Sequence, residues 1–195
     1  RSMTEIFRSY AVLDEQGRHV NGTDKCSNHA YGDAYESLFN ADLHTHGHCL
    51  RSDVKLVMEV GVADGSCLLA WREIFPNAII VGMDIHSLPP RVTCVDRIEF
   101  WLGDQCNREC CERAASGRQF DLIVEDATHL LENTLRTLLY LWPFVRPGGL
   151  YVVEEFANIG ALCRNVEALW PSVQVTDTQG PFGGIEPLVV FKKPR

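Results

Sequence analysis

Acidic residues recur in this chain at the ends of short apolar runs, several of them beside a glycine or a histidine. They are Glu59 in Glu59-Val60-Gly61-Val62-Ala63-Asp64-Gly65-Ser66, then Asp84, Asp104 in Gly103-Asp104-Gln105, Glu125-Asp126 with His129 close behind, and Glu154-Glu155. A glycine-rich turn from strand into helix lets the backbone approach a ligand, and the helix start offers free N–H groups. Asp84 follows the glycines by about twenty residues, where an acid can accept hydrogen bonds from ribose hydroxyls; Asp104 could accept from an adenine amino group. Asp84 or Asp104 alone is better explained as a cap or a solvated loop residue. Together, at successive strand ends, they favour an adenosine-containing ligand.

For such residues to meet, the chain must bring the ends of its apolar runs to one edge. Leu56–Val60 reads as a buried strand and Ser66–Ile74 as a helix; Ala78–Met83 is a second strand and Ile98–Leu102 a third. Arg108–Ala115 is helical, Asp121–Val124 a fourth strand, and Glu132–Val145 a long helix stopped by Pro147-Gly148-Gly149 before a fifth strand, Leu150–Val153. A helix over Asn158–Leu169 and closing strands at Val173–Thr176 and Leu188–Phe191 complete the pattern. Apolar strands alternating with helices predict an α/β fold, a mostly parallel sheet covered on both faces, with all the strand-end acids on one edge. Residues 3 to 20 read as a short helix or extended lead-in. Tyr31, Tyr35, Leu38 and Phe39 fall on one face of a helix capped by Thr23 or Asp24.

Composition narrows the class. With 195 residues, 46% of them hydrophobic and 23% charged, the chain can build one sizeable core. A net charge of −8 and eighteen basic residues without a dense cluster argue against nucleic acid as substrate. No apolar run approaches the roughly 20 residues of a membrane span, and no signal-peptide order opens the chain, so a cytoplasmic location is expected. Arg1-Ser2 before Met3 reads as a cloning remnant. The eight cysteines lack a framework spacing and read as reduced thiols; no fourth ligand completes Cys106, Cys110 and Cys111 as a zinc site. The alternating His44, His46 and His48 read as a solvated loop, and Gly180-Pro181-Phe182-Gly183-Gly184 as either a flap or a hairpin connection.

A dinucleotide site would want G-x-G-x-x-G, whereas here Gly61 and Gly65 are separated by Val62-Ala63-Asp64 and follow Glu59. This acid-x-Gly-x-x-x-Gly form resembles motif I of class I S-adenosylmethionine-dependent methyltransferases. Phe120-Asp121-Leu122-Ile123-Val124-Glu125-Asp126-Ala127-Thr128-His129 and Arg146-Pro147-Gly148-Gly149-Leu150-Tyr151-Val152-Val153-Glu154-Glu155 carry the resemblance further. They are similar to the metal-dependent macrolide sugar O-methyltransferases of the mycinamicin and macrocin type, and to methyltransferase-fold proteins of cephalosporin biosynthesis. Gly22-Thr23-Asp24-Lys25, His29, Tyr31 and Tyr35-Glu36 match as well, so the likeness runs from about Gly22 to Glu155. Glu125, Ala127-Thr128 and Glu155 stand where that family has Asp, Gly-Ser and Asp, and Ala63 replaces a common Gly.

The resemblance implies a Rossmann-like class I methyltransferase fold with a seven-stranded sheet, a single domain over residues 22–195 behind a lead-in over residues 1–21, and S-adenosylmethionine and Mg2+ as cofactors. It implies that Asp126, Glu154 and Glu155 face the metal and that His129, with Asp126, does the chemistry as general base. Asp24, Lys25, Tyr31, Glu59, Gly61 and Gly65 would line the cofactor site, together with Ser66, Asp84, Asp104, Gln105 and Glu125. The implied reaction is methylation of a small-molecule hydroxyl, such as a natural-product sugar. Two rivals stay open: a methyltransferase-like accessory protein that keeps the pocket but assists a partner, and a nicotinamide-dependent enzyme. A homo-oligomer is equally open.

Overall fold

The computed structural model describes residues 1–26, 29, 31–39, 50–177 and 188–195. The histidine run and the Gly180–Gly184 connector lie outside them. The lead-in is a helix, α1 (Met3–Tyr10), followed by a two-stranded antiparallel sheet of β1 (Ala11–Leu13) and β2 (His19–Gly22). Ser2, set aside in the sequence, caps α1: its hydroxyl accepts from Glu5 N–H at 3.1 Å while Glu5 accepts from Ser2 N–H at 2.8 Å. Met3, Ile6 and Phe7 then bury in the same core as the sheet, Phe7 standing edge-on to Trp71 at 4.9 Å.

After α2 (Tyr31–Phe39), strands and helices alternate: β3 (Leu56–Val60), α3 (Ser66–Ile74), β4 (Ile79–Asp84), β5 (Ile98–Leu102), α4 (Arg108–Ala115), β6 (Phe120–Glu125) and α5 (Leu131–Leu141). They continue through β7 (Val145–Val153), α6 (Ile159–Leu169), β8 (Gln174–Asp177) and β9 (Val189–Lys192). The seven-stranded sheet runs β5-β4-β3-β6-β7-β9-β8; β3 to β7 pair in parallel, and β9 pairs antiparallel with both its neighbours. The expected α/β architecture is present. One boundary differs. The sequence starts the fifth parallel strand at Leu150, after Pro-Gly-Gly; the observed strand starts at Val145, and a register shift takes up residues 146 to 149, since Phe120 pairs Val145 while Leu122 already pairs Leu150.

Successive side chains along a strand point to opposite faces, and each face has its own core. Val57, Leu122, Val124, Leu150 and Val152 pack toward α1, α2 and α3. Met58, Val60, Ile123, Tyr151 and Val153 pack toward α4, α5 and α6. The same count decides where the terminal acids go. Glu59 follows Val57, Asp126 follows Val124 and Glu154 follows Val152, so all three belong on the first face; Glu125 follows Ile123 and belongs on the second.

At the opposite edge, Asp121 ties three segments together. Its Oδ2 accepts from the N–H groups of Lys55 and Leu56 at 2.7 and 3.0 Å, and its Oδ1 pairs with Arg146. Asp121→Ala leaves two backbone donors and a guanidinium without this acceptor and is expected to cost roughly 3 kcal/mol. Thermal unfolding should register this as a fall of about 6–12 °C for a domain of this size; an unchanged midpoint would show that water replaces the carboxylate without loss.

Candidate functional site

Order along the sheet reverses between β3 and β6, which is where open α/β sheets leave a crevice beyond their strand ends. Backbone bonds prolong the ladder past those ends and set the acids in a row. Gly61 N–H donates to Met83 C=O at 2.9 Å, Asp126 N–H to Val60 at 2.8 Å, Gly103 N–H to Asp84 at 2.9 Å, and Glu154 N–H to Glu125 at 3.0 Å. Gly61 has φ +90°, and a Cβ there would lie 2.0 Å from the Asp126 carbonyl oxygen, so only glycine fits between the two strand ends.

Above this row lies a cavity of about 520 Å³ whose lining includes Gly61, Asp84, Asp104, Gln105 and Asp126. That volume suits a small ligand. Asp84 Oδ2 accepts from Val62 and Ala63 N–H at 2.7 and 3.2 Å, and Oδ1 accepts from His86 N–H at 2.8 Å. A carboxylate has about four acceptor positions, so roughly one remains for a ligand hydroxyl. That is room for one ribose hydroxyl where the sequence suggests more than one. Asp104 Oδ1 accepts from Cys106 N–H at 2.8 Å.

Several other residues expected at the cofactor site are directed elsewhere. Glu125 is buried toward α5, where it accepts from Gln105 at 3.0 Å and Thr134 at 2.9 Å; burial pushes its carboxyl above the usual range. Ser66 is also buried, bonded to Asp64 at 3.0 Å and to Arg91, behind the glycine turn rather than in the cavity. Gly65, at φ +85°, faces Val92 and Pro89.

Lys25 and Glu59 meet on the α1–α3 face of the sheet. Both are fully buried. The Lys25 ammonium lies 3.2 Å from Glu59, 3.0 Å from Asp126 Oδ2 and 2.5 Å from Glu154 Oε2, while the Tyr35 hydroxyl donates to Glu154 Oε1. Burial favours a neutral amine, yet the surrounding carboxylates hold Lys25 well above its ordinary range. Burial also pushes Glu59 up to about 7 and Glu154 well upward, with Lys25 pulling both the other way. Glu154, expected beside a metal, accepts from Lys25 through Oε2 and from Tyr35 through Oε1.

Glu155 takes a different direction because β7 has ended: its φ is +54°, outside strand geometry. Its backbone N–H donates to the Tyr31 hydroxyl at 3.1 Å. Its carboxylate lies 2.8 Å from His29 Nε2 through Oε1 and 3.5 Å from His129 Nε2 through Oε2. His29 Nε2 is also 3.4 Å from Asp24, and its ring stacks on Tyr31 at 5.0 Å. Burial of His29 is outweighed by Asp24 and Glu155, which raise its pKa to about 10. Among the described residues, two groups offer ligand atoms within 4.8 Å of one another: Asp126, His129 and Glu155, and Asp24, His29 and Glu155. The three neighbouring cysteines are in neither. His29 is the residue whose place the sequence least discloses, since its partner Glu155 stands more than a hundred residues later.

No family model matches the chain. Curated relatives include demethylmacrocin O-methyltransferase of Streptomyces fradiae, 33% identical over 117 residues, 54% of this chain and 28% of the relative. Mycinamicin VI 2''-O-methyltransferase of Micromonospora griseorubida is 33% identical over 120 residues, 56% of this chain and 29% of the relative. A rhamnosyl tetracenomycin-C 2'-O-methyltransferase of Streptomyces olivaceus is 27% identical over 87% of this chain and 43% of its own. The chain thus spans less than half the length of these relatives. Among solved structures, the MycE methyltransferase of the mycinamycin biosynthetic pathway, in complex with Mg and SAH, superposes with a TM-score of 0.76 at 21% identity over 100% of this chain and 55% of its own. A ribosomal RNA methyltransferase from Plasmodium falciparum gives 0.58 at 18% identity, over 84% of this chain and 95% of its own. The chain carries the class I methyltransferase fold, and its sequence likeness runs to O-methyltransferases of natural-product sugars.

Proposed function

We propose that this chain is a S-adenosylmethionine-dependent O-methyltransferase domain acting on a hydroxyl of a sugar-bearing small molecule, with magnesium at Asp126 and Glu155. One observation carries this reading: Asp126 belongs both to the wall of the glycine-cradled cavity and to the group with His129 and Glu155. A ligand in the cavity and an acceptor at that group would therefore be neighbours.

The residues fit both cofactors. Gly61 lets the backbone approach, Asp84 keeps an acceptor position for a hydroxyl, and Asp104 stands further along the same wall. Magnesium prefers oxygen, so the carboxylates of Asp126 and Glu155 are its natural holders, and His129 is left as the base. When bound, S-adenosylmethionine supplies an electrophilic methyl group and magnesium a Lewis acid that favours the alkoxide. His129 receives the hydroxyl proton at Nε2, and Glu155, 3.5 Å away, stabilises the imidazolium that results. Glu154 is given no part in this scheme because it belongs to neither group of converging ligand atoms among the described residues.

Calorimetry with S-adenosylhomocysteine, with NAD, and with each in the presence of magnesium tests the reading. Binding of the former is expected, weakened roughly tenfold, or about 1.4 kcal/mol, by Asp84→Asn. Binding of NAD instead would overturn it.

A further inference from the structure

Lys25 is fully buried, yet three carboxylates from the ends of three different strands converge on it: Glu59 of β3, Asp126 after β6 and Glu154 after β7. Burying a lone ammonium is costly, and Glu59 and Glu154, also buried, are more than enough to balance it. Asp126 is the odd partner. Its side chain retains 15% exposure and reaches the cavity wall, so it has water available and does not need the ammonium for solvation. The Lys25 backbone is itself tied to the start of α2, its carbonyl accepting from Tyr31 N–H at 2.9 Å. The ammonium also stands 5.9 Å from the centre of the Trp71 ring.

We propose that Lys25 is a positioning residue that acts through Asp126. It does not line the cofactor cavity. Its ammonium holds Oδ2 of Asp126 at 3.0 Å and thereby stops rotation of the carboxylate, leaving the other oxygen as the ligand atom offered to a divalent cation shared with Glu155. Tyr35 and Glu154 form the support behind it, Glu154 bridging the Tyr35 hydroxyl and the Lys25 ammonium. The inference rests on the proposed metal site at Asp126 and Glu155.

Charge and position make opposite demands here, which gives the test its discrimination. Removing a cation next to a metal ligand should tighten cation binding if Lys25 merely screens Asp126. It should weaken binding if Lys25 orients Asp126. Lys25→Met/Glu154→Gln removes one charge of each sign, so the cluster keeps its formal charge and the amide can still accept from Tyr35. The probe is Mn2+, followed by the electron paramagnetic resonance of the free ion, with S-adenosylhomocysteine calorimetry and thermal unfolding on the same samples. The double variant is expected to fold, to bind S-adenosylhomocysteine within about threefold of wild type, and to bind Mn2+ at least about tenfold more weakly, or roughly 1.4 kcal/mol. Glu154→Gln alone should keep Mn2+ affinity within about threefold. Unchanged Mn2+ affinity in the double variant overturns the proposal, as does tighter binding in Lys25→Met, or a tenfold loss in Glu154→Gln alone, which would make Glu154 the ligand. If wild type itself binds no Mn2+, the metal site falls first and the role of Lys25 falls with it; if wild type binds and only the double variant is indifferent, the role of Lys25 falls alone.

Discussion

His129→Ala is expected to lower turnover by about 10²–10⁴-fold, the usual contribution of a positioned base, while S-adenosylhomocysteine binding stays within a small factor of wild type. The separation follows from geometry: His129 belongs to the Asp126 and Glu155 group and is not part of the cavity lining that holds Gly61, Asp84 and Asp104. His129 also has φ +55°, a conformation that costs alanine more than it costs asparagine. His129→Asn is therefore the companion variant, since it tolerates the backbone and has no proton acceptor of comparable basicity. Turnover is measured as release of S-adenosylhomocysteine in the presence of hydroxylated glycosides. Equal loss in both variants assigns the effect to the missing imidazole, loss in alanine alone assigns it to the backbone, and turnover at the wild-type rate in both removes His129 as the base.

Much of this arrangement is legible in the sequence, for a physical reason. Strands buried on both faces must be apolar throughout, so Leu56–Val60 and Ile79–Asp84 announce themselves, and their terminal acids mark one edge of the sheet. Strand periodicity also places adjacent Glu154 and Glu155 on opposite sides unless the strand has ended. What the sequence does not show is that it ends at Val153, with Glu155 at φ +54°, and that Lys25 and Tyr35 then engage Glu154 while Glu155 faces both histidines. The contacts of Lys25 and Tyr35 with Glu154, and of His29 with Glu155, join positions more than a hundred residues apart, and no local pattern encodes them. The early start of β7 is hidden for a different reason. Pro147-Gly148-Gly149 has the composition of a chain break, and it is accommodated inside the strand by the register shift opposite Phe120 and Leu122. Glu125 is only one residue from Asp126, yet it points to the other face, where it accepts from Thr134.

Gly61→Ala is the second variant with a large expected effect, and it acts on the fold and the site together. A methyl group at residue 61 would meet the Asp126 carbonyl oxygen at 2.0 Å and the Ala127 Cα at 2.9 Å, both backbone atoms that no side-chain rotation can move. The φ of +90° adds strain of its own. Relief requires the ends of β3 and β6 to separate, against the bond from Asp126 N–H to Val60 at 2.8 Å. The combined cost is expected to be about 4 kcal/mol, a fall of about 8–16 °C in the unfolding midpoint. Gly117→Ala is the internal comparison. That glycine has φ +67° with nothing within 4 Å of an added Cβ, so it reports the conformational cost alone, about 1 kcal/mol. The excess in Gly61→Ala is then the clash. Because the same displacement moves Asp126 relative to the cavity it lines, S-adenosylhomocysteine binding should weaken by roughly a hundredfold, about 2.8 kcal/mol, at temperatures where the variant is still folded. Wild-type binding in a destabilised but folded Gly61→Ala would mean that the glycine turn serves the strand junction only and that the adenosyl ligand sits elsewhere.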